Sequence, residues 1–140
     1  MAGVCCYRPD ATDARLAFHL REGAYDTDQL IGVVAALRRL LGGSWPVIVI
    51  WDNLPAHTSL AMRAWAATQS QWLQVEYLPA YAPDLNPLEG LWANLKGTEL
   101  ANACGSLEEL AAAAEQGIGR VRGEAELLLS FLHQAGLPCE

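Results

Sequence analysis

Two carboxylates stand out by where the chain puts them. Asp52 ends the uncharged apolar run VIVIW, and Glu89 falls three residues after Asn86 in the segment DLNPLEGLW, where a helix opens at Pro87. Thirty-six residues lie between the two acids. An acid at the end of a strand and an acid in the first turn of a helix can converge, and converging carboxylates supply the hard oxygen ligands that divalent metal ions take. Each acid also has an ordinary use. Asp52 can make a turn or cap the next helix, and Glu89 sits at the capping-box position relative to Asn86, with Pro87 at the first helical position.

Other residues near the pair read both ways. His57 lies five residues past Asp52 and so within reach of the same cleft, but its setting also suits a loop histidine. Lys96 follows Glu89 by seven residues, about two turns along the same helix face; it offers an ammonium suited to a phosphate, or a solvated surface charge. Asp84 reads as a turn residue ahead of Asn86. Trp51, Trp65, Trp72, Leu91 and Trp92 read as core.

The elements that would hold these residues follow from pattern. Residues 3–8 and 15–20 form two strands around the turn-rich PDATDA, with His19 facing solvent. Asp26 or Thr27 caps a helix whose apolar positions run from Leu30 to Leu41, with Gln29 placed for a capping box and Gly42-Gly43 as its stop. Arg38 and Arg39 suit the C-terminal dipole. VIVIW reads as a strand buried on both faces, as in a parallel sheet, with Asp52 at the carboxyl end where open α/β sheets bind ligands. A helix from about Leu60 to Trp72, capped by Thr58 or Ser59, leads to a strand at 75–78. The loop PAYAPDLN and a helix from Pro87 to about Leu100 come next. Ser106 and Glu109 box a further helix weakened by glycines at 117, 119 and 123, and a last helix spans 124–135. The order is α/β with at least one crossover between VIVIW and VEYL.

Composition limits the class. The chain has 140 residues, 52% of them hydrophobic, which fits one folded domain. No apolar run approaches the roughly 18 residues of a membrane span, and MAGVCCYRPD has no signal-peptide pattern, so a cytoplasmic protein is expected. Cys5 and Cys6 are adjacent, Cys104 and Cys139 stand alone, and no CxxC pair exists; free buried thiols are expected rather than disulfides or a zinc site. The net charge is −7. Residues 1–46 balance five basic against five acidic groups, residues 47–99 carry two against five, and residues 100–140 two against six. The middle excess is what a carboxylate site would produce, but basic surface for tight DNA binding must come from elsewhere.

The run of an apolar strand, WDNLPAH and then LPAYAPDLNPLEGLWANLK resembles the DDE transposases of the IS630/Tc1/mariner type. The likeness covers roughly residues 3–100 and rests on a strand-end Asp in a D-N-x-x-x-H segment and a Glu in P-D-L-N-P-x-E-x-x-W-x-x-L-K. It implies an RNase H-like fold, a five-stranded mixed sheet flanked by helices, with residues 1–100 as a partial catalytic domain and 101–140 as its helical extension. Asp52 and Glu89 would then be catalytic metal ligands in a two-metal Mg2+ or Mn2+ site, with Asn53, His57, Asn86 and Lys96 as accessories. The implied reaction is DNA cleavage at transposon ends followed by strand transfer, by in-line attack of water or a DNA 3′-hydroxyl. In that family a third acid, an Asp, lies on a central strand ahead of the hairpin. This chain opens at the hairpin, and Asp10 and Asp13 in its turn are poor replacements. The expectation is therefore a transposase fragment lacking the first catalytic Asp and the helix-turn-helix region. DNA is the expected partner, with a homodimer and an N-terminal transposase product supplying the strand as further ones, and no membrane. The isolated chain is expected to be inactive. The rival reading is a non-catalytic α/β interaction or dimerisation module, left by a decayed transposase. An unrelated phosphohydrolase would need further ligands such as His-x-Asp, which are not found.

Overall fold

In the computed structural model, residues 2–10, 12–43, 45–103 and 105–137 are described. The lone cysteines Cys104 and Cys139 lie outside them. The chain divides into two compact units, Gly23–Ala82 and Met1–Glu22 with Pro83–Glu140.

The second unit begins with the antiparallel hairpin β1 (Ala2–Tyr7) and β2 (Ala14–His19), in which Cys5 faces Leu16 and Cys6 faces Arg15. Alternation works as expected along β2. Ala14 and Leu16 are buried while Arg15 and His19 are exposed. Cys5 and Cys6 are both free and half-buried, and burial pushes each thiol up to about 11. They are protonated and unreactive near neutral pH. Three helices cover the hairpin: α4 (Pro87–Gly97), α5 (Leu107–Arg122) and α6 (Ala125–Gln134). Their core joins Ala14 and Leu16 to Leu91, Leu95, Ile118, Val121, Leu128 and Phe131. Tyr7 Oη donates to the Leu128 carbonyl at 2.9 Å and Arg122 Nε to that of Leu16 at 3.0 Å. The glycines expected to weaken the middle helix do not interrupt it. Gly117 lies where a Cβ would come 2.5 Å from Leu95 Cδ2, so its smallness lets α5 approach α4. The break falls at Gly123. Arg120 bonds Glu99 through Nε at 2.6 Å and Asn94 through Nη2 at 2.6 Å, clasping the end of α4 to α5.

In Gly23–Ala82 the order is α1 (Thr27–Leu40), β3 (Val47–Trp51), α2 (Pro55–Thr58), α3 (Leu60–Thr68) and β4 (Leu73–Tyr77). Asp26 and Gln29 form the expected capping box. Gly42 and Gly43, at φ 83° and 71°, end α1 with bonds from their N–H groups to Arg39 and Arg38 carbonyls, the double closure of a Schellman motif. Arg38 lies over the Trp72 ring at 5.1 Å, a cation–π contact. β3 and β4 pair in parallel, Val47 with Leu73 through Trp51 with Tyr77. This is the crossover expected from sequence.

Two expectations need correction here. VIVIW is covered on one face only. Val47, Val49 and Trp51 pack with Val34, Trp72, Leu73 and Trp65, whereas Ile48 and Ile50 are 60% and 53% exposed. An apolar run records what a strand tolerates, not what is packed on it. The helix expected over 60–72 ends at Thr68, and a separate single turn at Pro55–Thr58 precedes it. Gln69 and Trp72 close a turn after Thr68, with Trp72 N–H donating to the Gln69 carbonyl at 3.0 Å, and this swings Trp72 into the core. Among the described residues the strands stand as two two-stranded sheets.

Candidate active site

Asp52 leaves β3 directly, and its surroundings fix it from three sides. Leu54 N–H donates to Asp52 Oδ1 at 3.2 Å, closing an Asx-type turn. His57 Nδ1 lies 2.7 Å from the same oxygen and 3.2 Å from the Asp52 carbonyl. Both neighbours of Nδ1 are acceptors, so this nitrogen carries the proton. The imidazole stacks on Trp51, centroids 4.4 Å apart and planes 4° from parallel, and its side chain is 14% exposed. Tyr77 Oη donates to the His57 carbonyl at 3.1 Å. The adjacent residue braces the other strand: Asn53 Nδ2 donates to the Leu78 carbonyl at 2.7 Å, while Leu78 N–H donates to that of Trp51 at 2.9 Å. The Asp52 side chain is 47% exposed, and Oδ2 accepts no hydrogen bond among the described residues. One oxygen is held and the other is open, the donor arrangement a carboxylate ligand needs.

The structure brings Asp52, Asn53 and His57 together at the carboxyl end of the parallel pair. The turn explanation for Asp52 also holds, because Oδ1 serves the turn while Oδ2 is spare. Trp51 and Tyr77 complete the cluster. Nothing in their spacing marked them, because the strand register that brings Tyr77 opposite Trp51 is a tertiary property.

Glu89 stands on α4 in the other unit. A short 3-10 turn at Pro83–Leu85 brings the chain to Asn86, which caps the helix with Pro87 at its first position. The cap bond goes to Leu88 N–H, accepted by Asn86 Oδ1 at 3.1 Å, and Glu89 N–H donates to the Asn86 carbonyl at 3.0 Å. The capping box expected of Glu89 is thus not formed. With Asn86 turned to the second helical residue, the reciprocal bond has no place, and the carboxylate of Glu89 is left on the exposed side of the first turn. Lys96 is in the last turn, exposed. Leu91 and Leu95 are the buried face, and Trp92 meets Phe18 at 6.1 Å between ring centroids.

Asp10 and Asp13 are occupied in the hairpin turn: Asp10 accepts from Thr12 N and Oγ1, and Asp13 pairs with Arg15 at 2.8 Å. Within neither unit is there, among the described residues, a group of three or more His, Cys, Asp or Glu side chains placed to hold a metal. The fit to a divalent ion therefore rests on individual acids with open oxygens, Asp52 foremost. No described helix is long and apolar enough to cross a membrane.

A family model described as a DDE superfamily endonuclease matches residues 11–111. Over 63 residues the chain is 38% identical to the transposable element Tc1 transposase of Caenorhabditis elegans, covering 42% of this chain and 22% of that protein's length. Two solved structures share the fold. The Mos1 transposase catalytic domain with Raltegravir and Mn aligns at a TM-score of 0.61 with 20% identity, over 90% of this chain and 68% of that one. A second structure, the catalytic domain of Mos1 mariner transposase, aligns at 0.56 with 21% identity, over 93% and 72%. The fold is thus α/β of the RNase H-like kind.

Proposed function

The chain belongs to the DDE superfamily endonucleases, and from that premise we propose that it is the catalytic part of an IS630/Tc1/mariner-type transposase. Residues 1–100 form the body of that part and residues 101–140 its helical extension. The reaction is metal-dependent cleavage of DNA at transposon ends and transfer of the strand to a target. Asp52 and Glu89 would be the ligands of a divalent ion, Mg2+ or Mn2+, which when bound would stabilise the phosphodiester oxygens as a Lewis acid and activate the attacking oxygen.

This chain's own residues prepare the site. His57 and the Leu54 amide hold Oδ1 of Asp52, which leaves Oδ2 for the ion. Asn53 fixes the loop on β4. Asn86 caps α4 and so keeps the helix start rigid beneath Glu89, while Lys96 offers its ammonium to a DNA phosphate. Asp10 and Asp13 serve the hairpin turn, so a third acid would come from a separate transposase product that adds a strand beside β3. The DNA-bound form would sit on a bacterial nucleoid.

The observation that carries this reading is the Asp52 carboxylate, half-exposed at the end of a parallel strand with one oxygen fixed and one open. DNA upstream of the coding segment is expected to encode a strand ending in Asp behind a basic helix-turn-helix. The 140-residue chain alone is expected not to nick supercoiled plasmid with Mg2+ or Mn2+, and to nick once that product is added. Nicking by the chain alone, abolished by Asp52→Asn, would contradict the need for a third acid. An upstream region without such a product would favour the non-catalytic module.

A further inference from the structure

His57 reaches Asp52 from a helix that cannot hold itself. α2 has four residues, no side-chain cap at its start and a stop at Ser59, and a single hydrogen-bonded turn is unstable in isolation. Bonds from outside therefore set its position. Ser59 Oγ donates to the Ala56 carbonyl at 3.3 Å and Thr27 Oγ1 to the same oxygen at 3.4 Å. The next carbonyl, that of His57, has no helical N–H ahead of it, the usual condition of a helix end. Tyr77 Oη fills that place at 3.1 Å. Tyr77 is the last residue of β4, half-buried and level with Trp51, and Arg63 of α3 lies 6.0 Å over its ring. One histidine is thus gripped at two ends. The carboxylate leaving β3 meets its ring, and the phenol ending β4 meets its main chain.

We propose that Tyr77 is a positioning residue for the Asp52 carboxylate. Its hydroxyl pins α2 to the sheet, so the Nδ1–H of His57 stays on Oδ1 and Oδ2 stays open. Without that bond a part-buried carbonyl loses its donor, and the turn that carries it gains by moving toward water. The imidazole then leaves Trp51, and Oδ1 keeps only the Leu54 amide. Rotation of a carboxylate about χ2 is soft, so with one bond in place of two the oxygens of Asp52 exchange roles. The ring of Tyr77 cannot supply this hold, because only the hydroxyl reaches the carbonyl. Tyr77 acts through His57 and touches no reacting atom. What the hold does for an ion rests on the proposed metal role of Asp52; the hold on His57 does not.

Tyr77→Phe removes the hydroxyl and keeps the ring. Nitrogen-15 NMR of the metal-free chain, labelled on histidine and held at neutral pH, reads the consequence. Wild-type His57 is expected as the Nδ1–H tautomer, with an Nδ1 proton that exchanges more slowly than the ring proton of the exposed His133. In Tyr77→Phe that proton should be lost to exchange and the two tautomers should mix, with His133 unchanged. Far-UV circular dichroism checks folding. Mn2+ titration then reads the carboxylate. Tyr77→Phe should weaken binding by no more than His57→Phe does, and should add nothing in the His57→Phe background, since a residue acting through another loses its effect with it. Equal exchange at His57 and His133 in the wild type, an unchanged His57 spectrum in Tyr77→Phe, or additive losses in the double variant would each overturn the proposal. A wild type that binds no Mn2+, with His57 freed by Tyr77→Phe, would contradict the metal role of Asp52 and uphold the anchoring.

Discussion

Asp52 illustrates how one side chain can serve structure and chemistry together. Its Oδ1 completes a turn and meets His57, and its Oδ2 remains open. The DNLPAH spacing was enough to bring His57 under suspicion, but not to show that the ring stacks on Trp51, because stacking depends on where α2 starts. The two contacts can be separated. His57→Phe keeps the stack and removes the donor, and His57→Asn keeps a donor near the Nδ1 position. Loss of a group that orients a ligand typically costs about 10–100-fold in metal affinity. The Phe variant is expected to fall in that range by Mn2+ titration and the Asn variant to retain most affinity; equal losses would assign the effect to packing. Glu89 reads differently. Its position predicts a capping box, yet the choice of Asn86 between the second and third amides is decided by loop geometry that the sequence does not display. Asn86→Ala should cost about 1 kcal/mol in urea unfolding, as lost helix caps do. Glu89→Gln should stay within about 0.5 kcal/mol, the usual range for surface changes. A Glu89→Gln cost equal to that of Asn86→Ala would return the carboxylate to the helix.

Strands, helices and their order were largely legible, because periodicity, caps and glycine stops are local. Asp26 with Gln29 and Gly42-Gly43 did what their types require. What was not legible depended on neighbours. The covered and open faces of β3 cannot be told from five apolar residues. Gly117 looks like a helix weakness until Leu95 is found against it. Gly117→Ala should therefore destabilise by about 1–3 kcal/mol, the range for overpacked cores. Gly119→Ala meets nothing within 4 Å and should be neutral or stabilise by up to about 1 kcal/mol through helix propensity. Thermal unfolding of the two variants distinguishes these outcomes, and equal effects would deny the close approach of α4 and α5. The clasp at the end of α4 has a pH signature. Hydrogen bonds from Arg120, and then from Thr98, lower Glu99 from 4.5 to about 2. A carboxylate with a depressed folded value stabilises fully above its unfolded value and loses that contribution as pH falls. Glu99→Gln should thus flatten the acid limb of the stability curve between 4.5 and about 2 and leave the curve's shape above it unchanged.

Taken together, the chain carries its acidic excess mainly in the unit holding α4, α5 and α6, while the unit holding Asp52 is almost neutral. The −7 balance therefore weighs little against nucleic acid at the strand end itself. The two acids that sequence singled out stand one in each unit, and their partnership is what the proposed chemistry requires. Mn2+ titration of the wild-type chain, Asp52→Asn and Glu89→Gln, followed by calorimetry and by Mn2+ electron paramagnetic resonance, addresses that partnership. A shared ion gives one binding event in the wild type that either substitution removes. Binding that is the same in all three proteins, or two weak events of which each variant loses its own, would show that Asp52 and Glu89 do not hold a metal together.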